Sequence, residues 1–427
     1  MEQPRTSRER FLITGKDILF FLLLWVILFI EPVSIGPVKI SQIWKGIIVF
    51  LLLFSIIKRK LPIYIWMGFL FAFKFLIYTE MPYGMLRAVQ DFLEAIILPL
   101  TLAYLIIRYK NGSLNQKHFI RIPIWLSLFV IYSSVPFLFG LKSLNPDTDL
   151  EKYGLEANAM KGLFYHIATS SKLYTVATVI LFITYKYFSH NFFYKAIWLL
   201  AVLLGAYFVY TSWTRTGWLI FSIAMIISVF YRSNIKRKTL GIAFSLIVMA
   251  GLGWLYETNE AFRLRLSGGA VYRTNTELSV AELAKARLPF ISTAIENLSE
   301  EGFGAQVIGY GTQHGIDLFE DKTGMAIVSH NRTFEILESS GIFGLVVYLI
   351  FLYTIFRETK KNRSQELTPP ILDKLFVVST VMFLGFYITS HGTPLWGEII
   401  FGCIIMGVIC LNKNERTFSN ETKDLIY

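Results

Sequence analysis

From about residue 17 to residue 411 the chain alternates between long apolar blocks and short polar ones. The apolar blocks run over roughly 17–35, 43–57, 61–79, 89–107, 122–140, 166–188, 194–212, 216–231, 239–256, 333–356, 370–390 and 395–411. Blocks of this length match a hydrocarbon core of about 30 Å. Backbone that crosses such a core must satisfy its own hydrogen bonds, so helices are expected. Runs such as 18–30 lack the period-two alternation of a barrel strand. The first block has no small-residue cleavage site and runs into Glu31-Pro32, so it reads as a retained span rather than a signal peptide. The expected fold is an all-α polytopic membrane protein with about twelve transmembrane helices.

Composition sharpens this picture. Of 427 residues, 54% are hydrophobic and only 17% charged, and the mean hydropathy is +0.52. A soluble domain carries about 25% charged residues, so an ordinary soluble enzyme, a disulfide scaffold and a disordered chain are all poor fits. Cys403 and Cys410 lie seven residues apart in the last block, where a helix holds their sulfurs too far apart for a disulfide. The net charge of +11 does not point to nucleic acid, because the cations cluster in short groups at block ends.

Those clusters set an orientation. Alternate connecting segments hold 24 Lys and Arg, among them Arg5, Lys58–Lys60, Arg108, Arg232, Lys236–Lys238, Arg357 and Lys413. The opposite short segments hold six: Lys39, Arg87, Lys142, Lys152, Lys161 and Arg215. The excess predicts both termini in the cytoplasm and an even number of crossings. Three regions follow: transmembrane helices 1–9 over 1–256, a large external segment over 257–332, and helices 10–12 with a cytoplasmic tail over 333–427. A segment as long as 257–332 is expected to carry helices of its own. Ser279 and Glu282 have capping-box spacing, and Val280, Leu283, Ala284, Leu288, Ile291, Ile295 and Leu298 follow at helical period. That stripe predicts an amphipathic helix that Pro289 kinks or restarts.

Ionisable residues inside apolar spans are costly and mark sites or internal pairs. Lys74, Asp91, Glu94, Lys172 and Glu398 fall in the outer part of their spans, whereas Asp373 and Lys374 sit at an inner end. A transporter is expected to place polar groups near the midplane, so the bias favours a site at the external face. Lys74, Asp91 and Glu94 read equally well as substrate contacts and as a buried structural ion network. Arg215 lies in a tight external turn, Thr211-Ser212-Trp213-Thr214-Arg215-Thr216-Gly217-Trp218, that opens the eighth span. The tenth span also starts outside, at Ser329-His330-Asn331. Two helix N-termini and a guanidinium suit an anion; a snorkelling interfacial arginine is the plainer account of Arg215. Arg287 falls on the apolar face of the predicted stripe, where either a salt bridge or an anionic ligand accounts for it. Gly302-Phe303-Gly304 and Gly309-Tyr310-Gly311 read as tight turns without nucleotide-site context, and no cofactor is expected. His166, His314, His330 and His391 lack metal-ligand spacing, so no metal site is expected from them. Asp147-Thr148-Asp149 is a short acidic match in a turn-rich loop.

Taken together, "TSWTRTGW" opening span eight, "ARLPFISTAIENL" followed by "IGYGTQ" in the long segment, and "SHNRTFEILESSGIFGLVVYLIF" running into span ten resemble the O-antigen ligase and O-antigen polymerase superfamily. The closest correspondence is His330, Asn331, Leu337, Glu338, Gly341 and Gly344, and the likeness covers about residues 200–360. It implies a metal-independent, inverting glycosyltransferase in a bacterial cytoplasmic membrane, with its active site facing outward. The donor would be a glycan on a polyprenyl diphosphate. The acceptor would be a lipid-linked repeat unit in a polymerase or a lipid core sugar in a ligase. Membrane lipids and polysaccharide-assembly proteins are the other partners implied. Carried over, Arg215 and Arg287 grip the diphosphate and His330 acts at the acceptor hydroxyl, with Asn331, Lys74, Asp91, Glu94 and Arg273 as further substrate contacts. The family usually has an aromatic residue soon after the loop arginine, and here Phe290 follows Pro289. Arg273 or Arg265 therefore compete with Arg287 for that role. The alternatives from other classes are a polysaccharide transporter or flippase, and a metal-dependent transferase using Asp147 and Asp149.

Overall fold

The computed structural model describes residues 34–35, 38–57, 59–79, 84–141, 159–162, 164, 167–185, 192–232, 253–267, 288–323, 329, 331–364, 369–389 and 395–410, with isolated positions 239, 242, 250 and 251. These form a helical bundle with one short antiparallel ladder between β1 (Ser34–Ile35) and β2 (Val38–Lys39), in which Ser34 faces Lys39. Ser34 and Ile35, the last two residues of the first apolar block, therefore stand in a strand. The remainder of that block lies outside the described residues, as does most of 239–256.

The apolar blocks become α1 (Ile40–Ile56), α2 (Ile63–Lys74), α3 (Met85–Lys110), α4 (Gln116–Ser133), α5 (Ile167–Thr184), α6 (Phe192–Thr211) and α7 (Arg215–Phe230). Among its described residues, the 257–332 segment holds four shorter helices: α8 (Glu260–Ser267), α9 (Leu288–Glu300), α10 (Gly302–Ile308) and α11 (Thr312–Thr323). Then come α12 (Arg332–Ser364), α13 (Pro370–Thr389) and α14 (Leu395–Ile409). Pro289 is the second described residue of α9. Residues 268–287, with the capping box and most of the predicted stripe before it, lie outside the described residues.

Among the described residues, five helices suit a membrane crossing by length and composition: Met85–Lys110, Lys117–Phe139, Ile167–Thr184, Arg332–Arg363 and Pro370–Thr389. Five apolar helices of 10–17 residues accompany them. The surface agrees with an apolar surrounding. Phe50, Phe54, Trp66, Phe73, Tyr353 and Ile388 are each more than half exposed, far more contiguous apolar surface than a water-soluble monomer leaves uncovered. The Ile167–Thr184 window is 78% buried against 44% for Arg332–Arg363, which makes α5 a central helix, packed by α4, α6, α7 and α13.

One end of the bundle is closed by an ionic staple. Asp373, at the start of α13 and 2% exposed, accepts from Arg363 Nε at 2.6 Å and from Arg232 Nε at 3.1 Å. The Tyr231 hydroxyl also donates to it at 2.7 Å. This ties the ends of α7 and α12 to α13, and we call it the Asp373 end. The opposite end carries the candidate chemistry.

Candidate functional site

At that opposite end, α3, α7 and α12 begin. Helix N-termini carry partial positive charge and unsatisfied N–H groups, so these starts make this end hospitable to anions. Arg215 is the first residue of α7, after a three-residue turn in which Trp213 adopts φ +53. A bulky residue held there is strained. Trp213 is nevertheless locked by rings, with Tyr210, Trp218 and Phe262 packed together at centroid distances of 4.9–6.2 Å. Phe262 comes from α8, so this aromatic knot fastens the long segment to the Arg215 turn.

Two helix contacts place Arg215 within the end. A Cβ on Gly217 would overlap the Ser171 hydroxyl of α5, so the first turn of α7 lies directly against Ser171. Ile220 packs on Gly385 of α13, three residues before Ile388. Ile388 in turn presents its carbonyl to Asn331 Nδ2 at 3.2 Å. Asn331 Oδ1 accepts from the Thr333 amide at 3.0 Å, capping α12. The starts of α7 and α12 thus meet the end of α13, and Lys172 lies close enough to Arg332 and Glu398 to interact electrostatically. Arg332 itself pairs with Glu335 at 3.3 Å.

The other residues singled out from the sequence separate into two kinds. Asp91 lines a small cleft, pairs with Arg87 at 3.2 Å and accepts from Thr312. Glu94 instead takes the ammonium of Lys45 at 2.6 Å, a lysine that is 3% exposed in α1. Lys74 joins neither: its ammonium donates to the carbonyls of Ile77 and of Ile308, the latter at 2.5 Å. The three residues do not form one network. Lys74 holds backbone, Glu94 serves an interhelical pair, and Asp91 opens onto space. Arg287, His330 and Arg273 lie outside the described residues, as do Asp147, Asp149, His166 and His391; Arg265 falls in α8, with only its backbone described.

The "IGYGTQ" and "LESSG" segments meet in a socket. Gly341 takes φ +64 and ψ −173, breaking α12, and the 307–309 backbone fills the break. A Cβ on Gly309 would overlap the Ser339–Ser340 peptide, so the two chains pack backbone to backbone. Tyr310 is fully buried, donating its hydroxyl to Glu338 Oε1 at 2.7 Å and its amide to the Glu338 carbonyl at 3.0 Å. Thr79 closes the far side with its amide on the Gly309 carbonyl at 3.0 Å. Sequence reading saw a tight turn at Gly309-Tyr310-Gly311 and a motif at Glu338 and Gly341, but not that the two meet. The partners are 28 residues apart, and no local spacing links them.

Burial first, and then the Glu338 carboxylate beside it, push the Tyr310 phenol above its ordinary value near 10. Because the folded value is raised, the phenol's stabilising contribution is complete below pH 10 and declines as pH rises toward the folded value. Thermal melts of the wild-type protein should therefore fall more steeply above pH 10 than melts of Tyr310→Phe, and the two slopes should agree between pH 7 and 9. Equal slopes above pH 10 would remove the phenol–carboxylate bond from the account.

Sequence reading also passed over Lys45, Arg87 and Arg332. Lys45 had a visible signal, a lone cation inside an apolar run. Arg332 stood beside His330 and Asn331 but read as part of a polar helix start. Among the described residues, no three His, Cys, Asp or Glu side chains are grouped to hold a metal ion. The chain matches no protein-family model and no curated protein sequence.

Proposed function

We propose that this protein is a membrane glycosyltransferase that moves a glycan from a polyprenyl-diphosphate carrier to a sugar hydroxyl. We read it as polymerase type, with O-antigen ligation to a lipid core sugar as the alternative. In this reading the chain crosses a bacterial cytoplasmic membrane twelve times, both termini are cytoplasmic, and the Arg215 end faces outward. The observation that supports it most is that α7, which opens at Arg215, and α12, which opens at Arg332, both pack on the end of α13, with Lys172 close to Arg332. Departure of a diphosphate needs developing negative charge stabilised where water is partly excluded. Guanidinium groups supply fixed, bidentate donors and stay charged at any working pH. Helix starts add aligned N–H dipoles at no cost in reorganisation.

His330 directly precedes the cap of α12 in sequence. An imidazole titrates near neutrality and can take the proton from an attacking sugar hydroxyl as the new glycosidic bond forms. The diphosphate leaves with the electron pair of the cleaved sugar–oxygen bond. Arg287, or Arg273 in its place, brings a further guanidinium from the 257–332 segment to that leaving group. Exposed apolar side chains on the helix faces, such as Phe50, Phe54 and Trp66, offer a surface for the polyprenyl tail.

The test is a transfer assay with the full chain in detergent and a lipid-linked repeat unit as both donor and acceptor. Wild-type protein should yield longer lipid-linked products, and His330→Ala and Arg287→Ala should each remove them at unchanged protein level. Product formation without a membrane also excludes a flippase as the sole activity. Undiminished product from both variants would reject the site, and no product from the wild type with either acceptor class would reject the reaction.

A further inference from the structure

We infer that the seam between α2 and α12 binds an anionic phospholipid at the Asp373 end of the bundle. The two helices run antiparallel. Phe71 rests on Tyr348 with ring centroids 4.7 Å apart, a Cβ on Gly68 would stand 3.0 Å from Phe351, and Tyr64 is close enough to Glu358 to interact electrostatically. The start of α2 therefore lies beside the last turns of α12, at the end where Arg363 meets Asp373.

Four exposed cations gather there. Arg357 and Lys360 stand on α12, and Arg59 and Lys60 lead into α2. Among the described residues, none of the four has a side-chain hydrogen bond or an ion pair. Arg363 and Arg232 at the same end are both held by Asp373, and Glu358 stands by Tyr64, on the side of α12 that packs on α2. The helix dipole favours cations at the end of α12, but it opposes Arg59 and Lys60, which precede the start of α2. Like charges gathered at one seam repel, and an anion there relieves the repulsion.

The adjoining apolar surface decides which anion. Ile350, Tyr353, Arg357 and Lys360 follow at spacings of three and four residues and share one exposed face of α12. Ile63, Trp66 and Leu70 do the same on α2, just after Arg59 and Lys60. Each apolar face thus ends in cations, the order in which acyl chain and phosphodiester are joined in a phospholipid. A water-soluble phosphate would use the cations and leave the apolar faces uncovered. A zwitterionic headgroup brings its own cation and relieves less repulsion. Basic clusters beside helices suit acidic headgroups for this reason, and lysine and arginine stems lie along apolar surface while their charged ends reach the headgroup.

This inference does not rest on the transferase reading, since it concerns the end of the bundle opposite Arg215. The full chain is purified into detergent micelles carrying equal amounts of phosphatidylglycerol and phosphatidylcholine, and retained lipid is counted by native mass spectrometry. Wild-type protein should retain phosphatidylglycerol in preference. Lys60→Gln and Arg357→Gln should each lower that retention about fivefold, which corresponds to the roughly 1 kcal/mol one cation contributes at an acidic membrane surface. Arg357→Lys should preserve it. These side chains are exposed, so each variant should melt as wild type does in lipid-free detergent. Lys195→Gln is the comparison: Lys195 lies in the first turn of α6, a helix that ends beside the Arg215 turn and packs on α4, α5 and α7, and its loss should leave retention unchanged. Glycerol 3-phosphate, the water-soluble part of the lipid, should not displace it. Equal retention of the two lipids overturns the inference, as does wild-type retention by both glutamine variants at the seam. An equal loss in Lys195→Gln would reduce the effect to the general attraction of a basic end for acidic lipid, and displacement by glycerol 3-phosphate would make the cations a site for a free anion; either result also rejects it. A failed transfer assay leaves the lipid site standing, and loss of the lipid preference leaves the transfer reaction standing.

Discussion

Gly341→Ala should unseat the long segment from the bundle. At φ +64 and ψ −173 the backbone lies in a region that costs a side-chain-bearing residue about 1–3 kcal/mol by itself. The new methyl group would also overlap the Val307 carbonyl and stand 2.6 Å from the Gly309 amide nitrogen. These are backbone atoms, and no rotamer change moves them aside. The combined cost should be roughly 4 kcal/mol, at the upper end of what single substitutions cause. The measurable outcome is a large drop in the midpoint of thermal unfolding in detergent and loss of monodisperse protein. Gly46→Ala is the control, because a Cβ there meets nothing within 4 Å and alanine favours a helix by up to about 1 kcal/mol. A Gly341→Ala protein that melts like the control would mean that the socket does not hold α10 to α12.

How far the sequence discloses this molecule depends on the range of the interaction concerned. Helices α5, α13 and α14 begin and end within a few residues of their apolar blocks, because burial in an apolar medium is a property of each block alone. Expected boundaries drift where local chemistry intervenes. The block at 61–79 gives a helix ending at Lys74, since that ammonium is drawn to the carbonyls of Ile77 and Ile308. The block at 122–140 divides at Ser134 into a helix and a 3-10 turn that starts beside Pro136. Pairings across the bundle were not legible. Lys45 to Glu94 spans 49 residues and Tyr310 to Glu338 spans 28, and hydropathy has no term for either. The Leu337-Glu338…Gly341 pattern was visible as a motif, yet its structural meaning is a receptacle for Tyr310. Asn331 was picked out as a substrate contact, and its amide is occupied by capping α12 and binding the Ile388 carbonyl. Asp91 alone among the ionisable candidates of α2 and α3 opens onto a cleft. Its partner Arg87 is one helical turn earlier, a spacing the sequence did display.

Arg215→Ala should cost the transfer reaction on the order of 10²–10³-fold in kcat, the range seen when a fixed donor to a developing anion is removed. The expectation follows from where the residue stands. Arg215 opens α7 against Ser171 of α5, at the end where Asn331 caps α12. A guanidinium at a helix start adds a full charge to an existing partial one. Arg215→Lys keeps the charge and loses the planar fork, so it should recover only part of the rate. Such a split would show that geometry as well as charge is used. A purely interfacial arginine behaves differently: lysine replaces it fully, and alanine lowers the melting temperature with the rate per folded molecule unchanged. The aromatic knot of Tyr210, Trp213, Trp218 and Phe262 holds the turn through ring packing, so Arg215→Ala should stay folded. Pyrophosphate inhibition supplies the independent reading. A leaving-group contact predicts that wild-type protein is inhibited and that Arg215→Ala is resistant in any residual activity. An Arg215→Ala protein that retains a third or more of the wild-type rate removes Arg215 from the diphosphate, and with it the main support for the reaction proposed.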